Sequence, residues 1–337
     1  MRRGAVVRIA LVGVAVGVVT SLFAVFIPWL PTSASEEMDG VAFTFWFATV
    51  ISIVIFSLVT AVILYSVVAF RVRPDDDTDG PPIHGHTGLE IVWTAIPAVL
   101  VTAISVVSAI VLARNDDAGP NPLKVAVSAQ QFAWSFKYPG ADGPLSGKLV
   151  LPIHQSIELS LTAADVIHSF WVPEFGQKQD AVPGITTRLV ITPKRLGTFP
   201  VICTELCGLG HSTMRSEAVV LSRADYDKWL ADQRSGAAPQ GSAGAGVFAA
   251  QGCGSCHTFA AAGSTGQVGP SLDTLDTAAK KAGKPLEAYV RESIVQPDAY
   301  LVPGYQGGVM PKNYADLPKD QLDQLVQYVA TGGKGTE

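Results

Sequence analysis

Cysteine and methionine are scarce in this sequence of 337 residues, with four of each, and histidine occurs six times. The cysteines fall in two pairs, C-x-x-x-C at Cys203 and Cys207 and C-x-x-C-H at Cys253 to His257. No cysteine is left over for a structural disulfide. Both pairs therefore indicate cofactor sites.

A basic run interleaved with aromatic residues is also missing. The chain has 24 Lys and Arg against 29 Asp and Glu, a formal net charge of −5, which excludes a nucleic-acid partner. Apolar sequence is abundant instead, since 48% of the residues are hydrophobic and the mean hydropathy is positive. Length and hydropathy together indicate more than one domain and a component that contacts membrane lipid.

Three long apolar segments occupy the first third of the chain, Ile9 to Ile27, Phe43 to Phe70 and Ile91 to Ala113. The second and third predict a transmembrane helical hairpin within residues 41–114. Residues 1–35 are either a signal peptide or an extra membrane anchor, because small residues that resemble a cleavage region follow the first apolar segment.

Charges around the hairpin predict its orientation. Arg71 and Arg73 follow its first helix, so the positive-inside rule places the loop 71–89 in the cytoplasm and everything after Ala113 outside. Glu90 begins the second helix. It is either a carboxylate that caps the helix N-terminus or a proton-uptake group at the membrane edge.

The stretch Cys203 to Met214 reads C-T-E-L-C-G-L-G-H-S-T-M and contains two cysteines, His211 and Met214. Thiolate, imidazole and thioether ligands together favour copper, and two thiolates in one loop can bridge a metal pair. His168, in D-V-I-H-S-F-W-V-P, is the candidate for a second histidine ligand. The alternatives are a disulfide or a structural zinc, although zinc gives no reason for a methionine at this spacing.

With these motifs and the stretch D-A-V-P-G at Asp180 to Gly184, the region from about Val41 to Leu221 resembles subunit II of haem-copper cytochrome c oxidases. The resemblance implies a dinuclear copper centre in a cupredoxin-like Greek-key domain at residues 115–234. It implies that Cys203 and Cys207 bridge both coppers, with His168 and Met214 on one and His211 on the other. The Glu205 carbonyl completes the set, and its side chain is expected to contact magnesium at the interface with the catalytic subunit.

Short alternating segments from Leu123 to Leu221 predict the strands of this domain, arranged as an antiparallel sandwich or barrel. The stretch Gln131 to Tyr138, Q-F-A-W-S-F-K-Y, departs from the family. In the family a tryptophan that receives electrons from soluble cytochrome c stands where this chain has Phe132, and Trp134 matches a second tryptophan. These aromatics either relay electrons or simply pack at alternating strand positions.

A Gly/Ala/Ser-rich linker at residues 235–246 precedes a second redox module at 247–337. C-x-x-C-H is the attachment signature of c-type haem, with His257 as an iron ligand, although a redox dithiol or a zinc half-site can mimic it. V-G-P-S-L at Val268 to Leu272 and an amphipathic closing helix at Lys319 to Thr331 make the module resemble an all-α class I cytochrome c. Met310, in G-V-M-P, is the expected sixth ligand; otherwise it is a core residue.

The combination resembles a caa-type oxidase subunit II. It implies electron transfer from an external donor, a bc1-type complex or a small cytochrome c, to haem c and then to copper. A catalytic subunit I would then reduce O2 and pump protons, with subunit III alongside, in a bacterial cell membrane. The alternatives are a membrane-anchored electron carrier without an oxidase partner, and a nitrous oxide reductase-like enzyme, for which six histidines are too few.

Overall fold

A computed structural model of the chain describes residues 3–71, 75, 80, 82, 84–140, 146–234 and 243–333. The chain divides into two units, one made of Met1–Thr32 with Asp39–Asn115, the other of Ser33–Met38 with Asp116–Glu337. Arg2, Arg73 and residues 235–242 of the predicted linker lie outside the described residues. The remaining linker residues, 243–246, are helical, so the helix of the second redox module begins earlier than predicted.

Three apolar helices, α1 (Arg3–Phe26), α2 (Glu36–Ala69) and α3 (Thr87–Asn115), make up the first unit, except that the first three residues of α2 belong to the second. Each helix is long and apolar enough to cross a membrane. A Cβ added at Gly13 would lie 3.5 Å from Ala61, and one at Gly17 would lie 3.3 Å from the Ser57 hydroxyl. Small residues thus let α1 approach α2 closely, as in packed membrane helices.

The second unit begins with two β-sheets. Their strands are β1 (Leu123–Gln130), β2 (Ala133–Lys137), β3 (Leu149–Pro152), β4 (Ile157–Ala163), β5 (His168–Trp171), β6 (Lys178–Ala181), β7 (Thr187–Ile191), β8 (Gly197–Cys203) and β9 (Arg215–Leu221). One sheet has the order β2-β1-β4-β7 and the other β3-β9-β8-β5-β6. The predicted all-antiparallel pairing is wrong in two places, because β1 pairs with β4 and β3 with β9 in parallel.

The parallel pairs follow from long connections. Strands that are neighbours in the sheet but not in sequence are joined by crossovers, and this permits parallel pairing. Alternating burial along β1 and β4 places their apolar side chains in one core between the sheets. Helix α4 (Arg223–Arg234) closes this domain by burying Tyr226 and Leu230. The cupredoxin-like sandwich predicted from the sequence is confirmed.

The rest of the second unit is mainly helical, as predicted. It contains α5 (Ala243–Ala250), the single turn α6 (Cys253–Cys256), the hairpin of β10 (His257–Phe259) and β11 (Ser264–Gln267), α7 (Leu275–Ala282), α8 (Leu286–Val295) and α9 (Lys319–Ala330). Its core joins α5, α8 and α9, and both Phe248 and Phe259 pack edge to face against Tyr328. The two end helices α5 and α9 pack together, as expected for a cytochrome c domain.

Candidate metal centre and haem pocket

Neighbouring strands bring the predicted copper ligands together from distant parts of the sequence. His168 is the first residue of β5 and Cys203 is the last residue of β8. These strands are adjacent and antiparallel, with Phe170 opposite Cys203. Because β5 and β8 are held in one sheet, the two ligand loops start from fixed positions.

The two thiols lie at the centre of the cluster. Cys203 and Cys207 are buried and free, with their Sγ atoms 3.9 Å apart, so the disulfide alternative is not what the structure shows. The Cys207 Sγ is 3.5 Å from the His211 Nδ1, and the Cys203 Sγ is 3.3 Å from the Glu205 carbonyl oxygen. Two sulfurs this close can both contact the same pair of metal ions.

The remaining two ligands meet on one side of the thiols. The Met214 Sδ lies 3.1 Å from the His168 Nδ1 and 3.7 Å from the Cys207 Sγ. Both Met214 and His168 are fully buried. The grouping of a thioether with an imidazole and two thiols fits copper and not zinc, which does not use thioether ligands.

Asp165 orients the His168 ring. Its carboxylate is 2.8 Å from the His168 Nε2 and also accepts hydrogen bonds from the backbone N–H groups of Gln131 and Val166. With the Nε2 bonded to Asp165, the Nδ1 is the nitrogen that faces the sulfurs. Burial opposes charge on His168, but the bonds with Asp165 and Cys203 outweigh it and raise the pKa of His168 to about 9.

The two thiols differ in their ease of ionisation. Burial opposes ionisation of Cys203, but the hydrogen bond with His168 outweighs it and lowers the pKa of Cys203 to about 7. Burial, together with the neighbouring Cys203, raises the pKa of Cys207 to about 12. Bound metal requires both as thiolates, so metal uptake must release protons.

Replacement of Asp165 tests its positioning role. We expect Asp165→Ala to weaken copper binding by roughly 10–100-fold, the usual loss when the partner of a ligating histidine is removed. Copper titration of the chain, followed by its visible absorption, measures this. Asp180→Asn, which removes an exposed carboxylate from the adjacent β6, should bind copper like the parent chain. If Asp165→Ala and the parent bound copper with equal affinity, Asp165 would have no role in positioning His168.

The aromatic residues after β1 take two different positions. Trp134 and Phe136 lie in the core of the sandwich, both in edge contact with Phe170, and Trp134 also faces the His168 ring at 6.1 Å. Phe132 lies in the turn between β1 and β2, against Gly208 and Gly210 of the ligand loop. All three rings are buried in one core cluster, but only Trp134 and Phe136 occupy alternating strand positions, since Phe132 precedes β2.

In the helical module, α6 presents Cys253 and Cys256 to a large cavity, open to solvent, that His257, Met310 and Tyr314 also line. The His257 Nδ1 donates to the Pro270 carbonyl oxygen at 2.7 Å, which leaves the Nε2 free for a metal. A Cβ at Gly269 would lie 2.4 Å from this ring, so only glycine fits there. A large, mostly apolar cavity with two thiols, an imidazole and a thioether on its wall fits a haem better than a zinc half-site.

The loop that carries Met310 is held by one carboxylate. Asp298 accepts from the Gly308 N–H at 2.8 Å and pairs with the Lys312 ammonium at 2.7 Å, so it ties the residues on both sides of Met310. The hydrogen bond with Lys312 and then that with Gly308 hold the pKa of Asp298 below its usual range. This clamp keeps the thioether at the wall of the cavity.

The Asp298 clamp should be visible in the pH dependence of methionine ligation. Because the folded-state pKa of Asp298 is lowered, its contribution is present above the ordinary aspartate pKa of about 3.9 and is lost as the pH falls through the folded value. We expect the near-infrared band of methionine-ligated ferric haem to persist to about pH 4 in the parent chain. Asp298→Asn should weaken the band already at neutral pH.

Asp316→Asn is the control for that experiment, since it removes an exposed carboxylate from the same segment without touching the clamp. It should keep the parent pH profile. A parent-like profile in Asp298→Asn as well would show that this carboxylate does not hold the loop.

Two glutamates from the sequence analysis have different surroundings. The Glu90 carboxylate accepts from the His86 N–H at 3.1 Å, and the His86 Nδ1 accepts from the Leu89 N–H at 3.1 Å. This reciprocal arrangement caps α3 and favours the capping interpretation. The Glu205 side chain is exposed beside the buried thiols.

Sequence reasoning did not assign roles to three residues of these sites. Asp165 orients a ligand, Gln131 donates its side-chain N–H to the Cys207 carbonyl oxygen, and Asp298 clamps the Met310 loop. Asp165 stands three residues before His168, which was a usable signal. Gln131 contacts Cys207, 76 positions away, and Asp298 contacts Gly308, 10 positions away, so no local spacing reveals either contact.

Comparison with known protein families matches three segments of the chain. The family described as "Cytochrome C oxidase subunit II, transmembrane domain" matches residues 22–111, and "Cytochrome C oxidase subunit II, periplasmic domain" matches residues 144–221. The family "Cytochrome c" matches residues 241–333.

Several curated proteins are similar to the chain over most of its length. A cytochrome c oxidase subunit 2 of Synechocystis sp. is 35% identical over 268 residues, which cover 66% of this chain and 80% of that protein. One of Alkalihalophilus pseudofirmus is 32% identical over 301 residues and covers 83% and 84%. A solved periplasmic domain of subunit II of cytochrome oxidase of Bradyrhizobium japonicum is 26% identical, with a TM-score of 0.33, and covers 36% and 99%.

Proposed function

The chain belongs to the cytochrome c oxidase subunit 2 family, and on that premise we propose that it receives electrons on its own haem c and passes them to a dinuclear copper centre. As a family member it is part of a haem-copper terminal oxidase, whose O2 reduction takes place in a catalytic subunit. One observation carries the proposal. Five side chains of the types that bind copper lie together on the same chain as a cavity that fits haem.

Each site has the residues that its cofactor needs. His168, Cys203, Cys207, His211 and Met214, with the Glu205 carbonyl, would hold two coppers, and thioether bonds from Cys253 and Cys256 would hold haem c between His257 and Met310. When bound, both groups supply one-electron couples that work with little change of geometry. The protein contributes rigidity: strands β5 and β8 fix the copper ligands, and the Pro270 and Asp298 contacts fix those of the haem.

The wider setting follows from the same family membership. The family supports a membrane protein with an extracytoplasmic copper domain, and we propose a multi-pass protein of a bacterial cell membrane that works with subunits I and III in a proton-pumping oxidase. The donor would be a bc1-type complex or a small cytochrome c. The exposed Glu205 carboxylate would contact magnesium at the subunit I interface, and Glu90 would serve α3 as a cap.

Purification of the full-length chain in mild detergent tests this function. We expect it to copurify with partners that contain haem a, and its spectrum to show a low-spin haem c together with the near-infrared band of mixed-valence copper. Isolation of the chain alone, with both bands present, would instead indicate an electron carrier without an oxidase. Absence of the copper band from fully matured protein would contradict the proposal.

A further inference from the structure

The last residue of β1 in the copper domain contacts the cytochrome domain through its side-chain amide. The Gln130 Nε2 donates to the Gln251 Oε1 at 2.7 Å, and the Gln130 Oε1 accepts from the Asn313 Nδ2 at 3.0 Å. One glutamine is thus bonded on both sides to the cytochrome domain. Because an amide has a donor end and an acceptor end, this pair of bonds fixes its orientation.

Backbone of the cytochrome domain also lies directly on β2. The buried Ser135 hydroxyl donates to the Ala250 carbonyl oxygen at 2.9 Å. A Cβ at Gly252 would lie 2.4 Å from the Ala133 Cβ, and one at Gly147 would lie 2.7 Å from the Ala249 carbonyl oxygen. Glycine is therefore required on both sides of the contact.

Burial along β2 shows how completely this face is covered. Trp134 and Phe136 point into the sandwich core, while Ala133 and Ser135 alternate with them and contact the cytochrome domain. All four are buried. A strand at the edge of its sheet is expected to show one solvated face, and here the cytochrome domain covers it.

The contact places the haem-binding motif beside the copper ligand loop. Gly252 directly precedes Cys253, and the Cys256 side chain packs against the core of the copper domain, which includes Cys207 and Met214. Phe132 lines the haem cavity and also packs on Gly208 and Gly210 of the copper loop. Its ring therefore lies against both sites.

We propose that this contact, formed by Gln130, Phe132, Ala133 and Ser135 against Ala250, Gln251, Gly252 and Asn313 and here called the amide dock, is the pose in which electrons pass from haem to copper. The proposal rests on the proposed function. Each passage oxidises the haem by one electron and reduces the copper pair by one, and no proton moves. The donors and acceptors of the dock are uncharged, so the passage is insensitive to salt, unlike an encounter steered by charge.

The dock can be tested on the full chain with both cofactors bound. After rapid photochemical reduction of the haem, bleaching of the copper band measures the transfer rate. We expect less than about a twofold change in rate between ~0.01 and ~1 M ionic strength, a range over which screening removes charge steering. A rate that falls several-fold with salt would overturn the proposal.

Two glycines provide a matched pair of variants. Gly252 and Gly263 have nearly the same backbone φ, 66° and 63°, but a Cβ at Gly263 meets nothing within 4 Å. Gly252→Ala and Gly263→Ala therefore impose the same backbone strain, and only the first pushes the domains apart. We expect Gly252→Ala to slow transfer by about tenfold or more, since an undocked domain has only the effective concentration set by its tether. Gly263→Ala should stay within about twofold of the parent.

Gly147→Ala reaches the same contact from the copper domain and should slow transfer as Gly252→Ala does, with both optical spectra unchanged. Parent-like rates in both variants would contradict the dock.

Hydrogen–deuterium exchange of the matured full-length chain gives a readout that does not need electron transfer. Peptides covering 131–135 should exchange faster in Gly252→Ala than in Gly263→Ala. If the parent never passes electrons to copper but the two variants still differ in exchange, the proposed function fails and the contact itself stands. If the two variants exchange at the same rate, the dock fails.

Discussion

Cys207→Ser should abolish the copper absorption band and leave the haem spectrum unchanged. Cys207 contacts three other members of the cluster, with its Sγ 3.9 Å from Cys203, 3.5 Å from His211 and 3.7 Å from Met214. A serine hydroxyl is a hard ligand that does not replace a bridging thiolate for copper. Because both metals would share this bridge, its loss removes the whole site. We expect the variant to bind less than about a tenth of the copper bound by the parent chain. The loss of affinity should exceed the roughly 10–100-fold loss expected when a hydrogen-bonding partner of a ligand, such as Asp165, is removed.

The reciprocal variant is Cys256→Ser, which removes a haem attachment point and should leave the copper band in place. Copper and haem are measured on the same sample by absorption and by elemental analysis. Survival of the copper band in Cys207→Ser would show that the ligand assignment is wrong. Loss of both cofactors in either variant would mean that the two sites do not fold independently of each other.

Met310→Leu should remove the near-infrared methionine band and lower the haem potential. A thioether stabilises ferrous iron, and leucine fills a similar volume without a ligand atom. Axial ligands set haem potentials over roughly 0.8 V, so we expect a drop on the order of 0.1–0.3 V. Redox titration of the haem band measures it. Ascorbate, a mild reductant, should then reduce the haem incompletely.

Met38→Leu is the matched control, because Met38 is a buried methionine that packs against Gly176, in the copper domain. Its haem potential should equal that of the parent. A parent-like potential in Met310→Leu would return Met310 to the alternative interpretation, a core residue beside an iron held by another ligand.

Much of the architecture could be predicted because local patterns carry it. The three apolar segments were identified as helices, which begin four to seven residues before those segments, and short strands were expected between Leu123 and Leu221. The clustering of the proposed copper ligands was predictable for a different reason, since four of the five side chains lie within twelve residues of one loop. Where ligand spacing is local, chemistry can be inferred without the fold.

Strands β5 and β6 were not predicted, and β2 was expected only under the packing interpretation of the aromatic stretch. Strand β2 lacks a polar outward face, because the cytochrome domain covers Ala133 and Ser135, so its burial is continuous. Strands β5 and β6 have only four residues each, too few to show a period. In both cases the determinant is a contact between segments far apart in the chain.

Phe132 shows the same limit at the level of function. The sequence indicated only that a phenylalanine replaces the tryptophan of the family, which left its role between packing and relay. Its contacts with Gly208, Gly210 and the haem cavity depend on how two domains meet. Gln130 and Asn313, 183 positions apart, are likewise joined only by the fold.

Metal and haem analysis of the matured full-length chain tests the central claim most directly. The account predicts two coppers and one covalently bound haem c per polypeptide, with a copper band that disappears on full reduction. Zinc in place of copper, or protein that matures with haem but binds no metal at Cys203 and Cys207, would contradict it.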